Sequence, residues 1–340
     1  MRESDQPRAE GDRYAIRRVP NSIRSQDVSQ IVREGLSQSP KELRPILFYD
    51  ARGSELFEQI CRLPSYYVTR TEELILKTHG QAILDSPRRP QLLYELGSGS
   101  SLKTEHLVRI AWERDASVRY LATDISESAL VGAAERLTER MPGLRMDLLV
   151  ASYEAAVDIV HQKTQQPRFG MFVGGNIGNF PRGDARAFLA SISAQAHAED
   201  RLMIGLDLVK DTEVLVRAYD DPEGVTAEFN INALRHINRV LGANFDLDAF
   251  RHVALWNEDL ERIEMHLESR RRQAVHIRDL DMQLSFEDGE RIHTENSHKY
   301  RLEGLEDFAR SAGWTLEERW TDPDVLFCVL RLAPSTELVP

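Results

Sequence analysis

The stretch that decides the architecture is residues 91–126, QLLYELGSGSSLKTEHLVRIAWERDASVRYLATDIS. QLLYEL is a short apolar strand ending in the turn Gly97-Ser98-Gly99-Ser100-Ser101. KTEHLVRIAWERD repeats its apolar residues at helical spacing, and VRYLATDIS is a second strand closed by Asp124. Working outward, the same unit recurs. ESALVGAAERLTERM reads as a helix, LRMDLLVASY as a third strand, RFGMFVGGNIGNF as a fourth strand entering a Gly/Asn turn, RGDARAFLASISAQA as a helix and RLMIGLDLV as a fifth strand. Strands alternating with helices predict a parallel sheet covered on both faces. Ligands of such sheets lie beyond the carboxyl ends of the strands, where this chain places its Gly, Asp and Asn residues.

Beyond this core the pattern changes. Towards the N-terminus, Val28, Ile31, Val32 and Leu36, then SELFEQICRL, have helical spacing, and LPSYYVTRTEE is a turn before the helix EELILKTHGQAIL. After Lys210, KDTEVLVRAYDD, TAEFNINALRHINRVL and DLDAFRHVAL read as helices. ERIEMHLESRRRQAVHI and LDMQLSFEDGERIHTENSHKY read as two long strands, the first alternating Ile263, Met265 and Leu267 with polar neighbours. The chain returns to helix in LEGLEDFARSAGW and closes with TLEERWTD and VLFCVLRLA, a hairpin expected at the sheet edge. Residues 210–298 thus read as an insertion that pairs with the N-terminal helices. The expected domains are 15–72 with 210–298, and 73–209 with 299–335, preceded by a flexible tail over 1–14.

Composition bounds the rest. The chain has 340 residues and a net charge of −12, which disfavours the basic face of a nucleic-acid binder. No apolar run approaches the roughly 18 residues a membrane span needs, and MRESDQPRAEGDR lacks the apolar centre of a secretory signal, so a cytoplasmic protein is expected. Two cysteines, Cys61 and Cys328, fit free thiols in a reducing compartment, and the histidines show no metal-ligand spacing, so no metal is expected. His266, His293 and His298 read as ordinary strand histidines.

The G-x-G turn lets a ligand approach the backbone, and Asp124 on the next strand can accept both hydroxyls of a ribose. The same residues also serve a purely structural turn and helix cap. Leu102 stands where the dinucleotide fingerprint wants its third glycine. A pyrophosphate needs that glycine and a free helix N-terminus, so S-adenosylmethionine, which has no phosphate, suits the looser turn better than NAD(P). Lys103 at the start of the next helix is within reach of a ligand carboxylate or simply of solvent.

The longer blocks are more specific. YDARGSELFEQICRLPSYYVTRTE, YELGSGSSLKT, GGNIGNF, GLDLVKDTEVLVRAYDDPEGVTAEFNINAL, HVALWNEDLERIEM and HTENSHKY cover nearly everything after residue 40. In them the chain resembles the histidine Nα-methyltransferases of ergothioneine biosynthesis. The resemblance implies a class I S-adenosylmethionine-dependent methyltransferase domain, Rossmann-like with a mostly parallel seven-stranded sheet, plus an α+β substrate domain. It implies Gly97, Lys103 and Asp124 as cofactor residues. It implies Tyr66, Asn179, Tyr219, Met265, Glu295 and Ser297 as residues that bind free L-histidine, and Tyr49 and Asn179 as the residues nearest the reacting amine. Asn179 and Tyr219 would grip the backbone groups of the amino acid, and Tyr66, Glu295 and Ser297 its imidazole. Where the family has an aspartate–aromatic pair for the adenine, this chain has Ser152 and Tyr153, a hydroxyl without charge assistance. The GGN opening also adds an amide, Asn176. The implied product is the trimethyl betaine, hercynine; for the assembly, a monomer is expected. Methylation of another aromatic amino acid such as tryptophan, a silent S-adenosylmethionine-binding module and a NAD-dependent oxidoreductase are the competing readings.

Overall fold

The computed structural model describes residues 13–19, 28–86, 88–163 and 167–335. In chain order the first elements are β1 (Tyr14–Arg18), α1 (Val28–Ser37), β2 (Lys41–Glu42), α2 (Ala51–Ile60) and α3 (Tyr67–Ile83). The alternating core follows as β3 (Leu92–Leu96), α4 (Glu105–Arg114), β4 (Arg119–Asp124), α5 (Glu127–Arg140), β5 (Arg145–Val150), α6 (Tyr153–Lys163), β6 (Arg168–Phe172), α7 (Arg182–Ser193) and β7 (Arg201–Asp207). Then come α8 (Thr212–Tyr219), α9 (Val225–Leu241), β8 (Phe250–Asn257), β9 (Arg262–Ser269), β10 (Gln273–Ile277), β11 (Met282–Phe286) and β12 (Arg291–His298). The chain closes with α10 (Leu305–Ser311), β13 (Trp314–Thr321) and β14 (Phe327–Pro334).

The large sheet runs β1-β5-β4-β3-β6-β7-β14-β13. Its first six strands are parallel, and β14 is antiparallel to both β7 and β13, so the expected closing hairpin is present. The strands β3, β6 and β7 are buried along their whole length, as a sheet covered on both faces requires. The Rossmann-like class is as expected, but the sheet has eight strands rather than seven. The extra one is β1, which pairs in parallel with β5 from Tyr14↔Met146 to Arg18↔Val150. Its alternation is short and half-exposed, so the sequence gives little sign of it. Tyr14 therefore belongs to a strand and not to the expected tail, whose residues 1–12 lie outside the described residues. Residues 15–18 likewise join this sheet rather than the substrate layer.

A second sheet, β2-β12-β9-β8, stands over the carboxyl ends of the large one, and β10 and β11 form a separate hairpin. Three expectations need correction here. DLDAFRHVAL is not a helix: after a 3-10 turn at Leu247–Ala249 it becomes β8, an edge strand antiparallel to β9. Most of β8 is half-buried on both faces, so its apolar pattern shows neither period sharply. The two long strands are four, broken at Arg270–Arg272 and at the Gly289 turn, where φ is +79°. The helix α3 starts at Tyr67, several residues before the EELILKTHGQAIL segment.

Two close approaches bring the sheets together. A Cβ on Gly178, in the 3-10 turn Asn176–Asn179 after β6, would lie 2.7 Å from the His298 carbonyl oxygen, so only glycine lets this turn abut β12. Just after β12, the Tyr300 N–H donates to the Asp207 carbonyl (2.8 Å) and Val209 N–H donates to that of Tyr300 (2.9 Å), docking the strand end onto β7. Cys61 and Cys328 are both free, and no described helix is long and apolar enough to cross a membrane.

Candidate active site

On one side lies the glycine turn after β3. Gly97 has φ +70°, and a Cβ there would stand 2.9 Å from the Tyr153 hydroxyl and 3.1 Å from the Asn176 amide nitrogen. Glycine is thus required both by conformation and by crowding. Gly99, φ +49°, has open space where a Cβ would be. Beside it Asp124 accepts the N–H groups of Gly99 and Ser126, each at 2.8 Å. Burial pushes the Asp124 carboxyl above its ordinary range against those bonds. Tyr153 wedges into a cluster with Phe172, Phe188 and Phe180, ring centroids 5.1, 6.0 and 6.1 Å away. Ser152 Oγ accepts the Ala155 N–H at 3.5 Å, at the opening of α6. An open space flanked by a carboxylate, a glycine backbone and a tyrosine face fits the adenosyl group of S-adenosylmethionine. Lys103 stands at the same turn, but its ammonium is paired with the fully buried Glu72 at 2.6 Å, and Glu72 also takes the Gly174 N–H at 2.9 Å.

On the other side is a cavity, about 350 Å³ of empty space counting its opening to solvent, between the ends of β6 and β7 and the face of β12. Tyr49, Tyr66, Asn176, Asn179, Tyr219, Glu295 and Ser297 line it, together with Phe57, Val68, Gly174, Gly175 and Asp207. Every residue the sequence assigns to the substrate is therefore brought to one place except Met265. That side chain is only 2% exposed and packs in the core, cross-strand from Glu295 on β9. Among the described residues, the side chains of Tyr49, Tyr66, Asn176, Asn179 and Glu295 hydrogen-bond no protein group, although each carries donors or acceptors. Five unmatched polar groups around one cavity call for a polar ligand. Burial, then the Glu295 and Asp124 carboxylates, holds the Tyr49 phenol well above its ordinary pKa. Burial raises Glu295 to about 7, against the pull of Lys299.

Sequence reasoning missed the layer beneath this cavity. Asp207, at the carboxyl end of β7, binds Lys299 (2.7 Å), Lys210 (2.6 Å) and the Tyr67 hydroxyl (2.9 Å). Burial raises the Asp207 carboxyl, but Lys299 and Lys210 outweigh it and hold the group low. Lys299, completely buried, also reaches Ser297 Oγ (2.8 Å) and Tyr219 Oη (3.0 Å). The signal was present, because Lys299 follows Glu295 and Ser297 at the same two-residue spacing, directly after the strand ends. Elsewhere, His266 and His293 stack at 4.9 Å beside Glu264. The Glu264 carboxylate is already held by Arg262 at 2.6 Å.

Residues 28–334 match the family described as histidine-specific, S-adenosylmethionine-dependent methyltransferases. The chain belongs to this family. It is similar to the histidine N-alpha-methyltransferase of Mycolicibacterium smegmatis, 42% identical over 292 residues that cover 86% of this chain and 90% of that protein. It is also similar to ergothioneine biosynthesis protein 1 of Schizosaccharomyces pombe, 31% identical over 238 residues, 67% of this chain but 31% of that protein. A more distant likeness, 27% over 330 residues (90% of this chain, 95% of that protein), is to the 4-dimethylallyltryptophan N-methyltransferase of Epichloe festucae. This member of the histidine-specific methyltransferase family is thus an N-methyltransferase that uses S-adenosylmethionine.

Proposed function

We propose that the enzyme methylates the α-amino nitrogen of free L-histidine, in successive rounds up to the trimethyl betaine hercynine, a step of ergothioneine biosynthesis. The observation that carries this reading is the placing, on one strand face, of the unmatched Glu295 carboxylate beside the Ser297 hydroxyl, in the cavity that Asn179 and Tyr49 also line. A carboxylate and a hydroxyl suit the two nitrogens of an imidazole, and a site built to hydrogen-bond a group rejects analogues lacking it by about 10⁴–10⁵-fold.

S-adenosylmethionine, when bound, supplies a methyl group on a good leaving group. The protein's task is alignment, worth about 7–11 kcal/mol when the geometry is right. Gly97, Gly99 and Asp124 would hold the adenosyl part, with Ser152 and Tyr153 at its base. Asn179 offers a carbonyl to the amine and an N–H to the carboxylate. The attacking amine must be neutral, and free α-amino groups titrate near a pKa of about 8. Tyr49 stays a phenol, so it takes a proton from the amine on its oxygen only as its own O–H proton leaves to water, one in and one out, rather than acting as a phenolate.

The test is incubation with S-adenosylmethionine and each free amino acid, with mass spectrometry of the products. Histidine should gain one, two and three methyl groups. Methylation of tryptophan instead of histidine, or cofactor binding without turnover on any amino acid, would overturn the reading.

A further inference from the structure

The ammonium of Lys299 has three hydrogens and no lone pair. All three are spent, on Asp207 Oδ2 (2.7 Å), Ser297 Oγ (2.8 Å) and Tyr219 Oη (3.0 Å). Ser297 Oγ and Tyr219 Oη lie 2.7 Å apart, so one hydroxyl also donates to the other. The hydroxyl that receives this second bond has both acceptor positions filled from within the protein. Its own hydrogen then has nowhere to go but the cavity that both residues line. Glu295, two residues back on the same strand face, has no hydrogen-bond partner among the described residues and offers an acceptor to the same space.

We infer that Lys299 is a positioning residue that sets ring specificity: by filling lone pairs of Ser297 and Tyr219 it turns that part of the wall into a hydrogen donor beside the acceptor Glu295. The inference rests on the histidine reading above. A neutral imidazole has one acceptor nitrogen and one N–H, matching the donor and the acceptor at once. A pyrrole or indole ring has an N–H only and leaves the hydroxyl hydrogen buried and unmet. Without Lys299 the two hydroxyls regain free lone pairs, and the wall accepts as readily as it donates. Asp207 would keep Lys210 (2.6 Å) and the Tyr67 hydroxyl (2.9 Å), so removing Lys299 does not strand a buried carboxylate.

The experiment compares kcat/KM for histidine and for 3-(pyrrol-2-yl)alanine, which keeps ring size and N–H but lacks the acceptor nitrogen. The proteins are the wild type, Lys299→Met and Lys299→Gln, with S-adenosylmethionine binding followed by calorimetry. The wild type should prefer histidine by at least about a hundredfold, the lower bound set by one buried donor left unpaired. Lys299→Met should lose at least about tenfold of that preference, mainly through KM, with cofactor binding unchanged. Lys299→Gln, whose amide brings two donors, should recover part of it. A preference unchanged in Lys299→Met, or equal in the Met and Gln variants, overturns the inference. So does a wild type that takes both substrates equally well, a result that needs no variant to fold. A wild type that leaves histidine unmethylated sinks the functional reading itself, and is told apart by that.

Discussion

Tyr49 sits where burial and the carboxylates of Glu295 and Asp124 all oppose ionisation. Its usefulness lies in its oxygen lone pairs, placed beside a cavity and bound to nothing else among the described residues. Tyr49→Phe should therefore lower kcat about 10²-fold while leaving S-adenosylmethionine affinity unchanged; steady-state kinetics across pH checks this, and unaltered turnover at every pH would remove Tyr49 from the proton path. At this scale the sequence reading was strongest where a residue's partner is a ligand, because such groups sit in recognisable blocks. Glu295, Ser297, Tyr219 and Asn179, assigned together from such blocks, do line one cavity. Partnerships internal to the fold were not legible in that way. The Lys103–Glu72 pair joins residues 31 positions apart on two helix-bearing segments, and only the packing of α3 against α4 creates it.

The element proposed to hold the cofactor is the turn between β3 and α4. Gly97→Ala adds a methyl 2.9 Å from the Tyr153 hydroxyl at a φ of +70°, so either the turn or Tyr153 must move. An expected outcome is a S-adenosylmethionine dissociation constant raised at least about tenfold, read by calorimetry, with the thermal midpoint lowered by a few degrees. The opening of α6 offers the opposite change. Ser152 caps the helix weakly, at 3.5 Å, and carries no charge. Ser152→Asp should improve the cap and give any amine donor above it a charged acceptor, tightening cofactor binding about three- to tenfold; looser binding in the same titration would show that the adenine lies elsewhere. Elements read cleanly from sequence where a strand is buried on both faces, as in β3 to β7. They failed at β8, a half-buried edge strand, and at β9 to β12. In those strands the chain turns at a run of three arginines, Arg270–Arg272, and at Gly289, features that local pattern alone does not weigh.

At the scale of the molecule, two sheets built from separated parts of the chain meet at one cavity, held by the Gly178 approach and the docking of Tyr300 on β7. That junction has a pH limit. Burial lowers His298 to about 4, helped by Arg182 and Arg262, and burial together with His293 lowers His266 to about 4. Both are neutral when folded, yet an unfolded histidine protonates near pH 6.5. Stability is therefore full above about pH 6.5 and falls as pH drops towards about 4, where the folded rings themselves begin to charge. The loss for the pair should be on the order of 3 kcal/mol after allowing for partial solvent screening. Urea midpoints measured across this range check it, and His266→Asn should flatten the slope. The existence of two layers was legible from the break in alternation after Lys210. Their contact was not, since it depends on a glycine that looks like one more turn residue until His298 is placed against it.

The strand β1 has one more consequence. It lies outside the 28–334 match to the family, yet it occupies the outer side of β5 from Met146 to Val150. A protein shortened to begin at Val28 would retain every residue of the cavity and of the glycine turn. It would also present a bare row of peptide groups along β5, a template for a neighbouring molecule to join. Such a shortened enzyme should turn over normally when dilute and form oligomers as it is concentrated, a trend that sedimentation velocity would display.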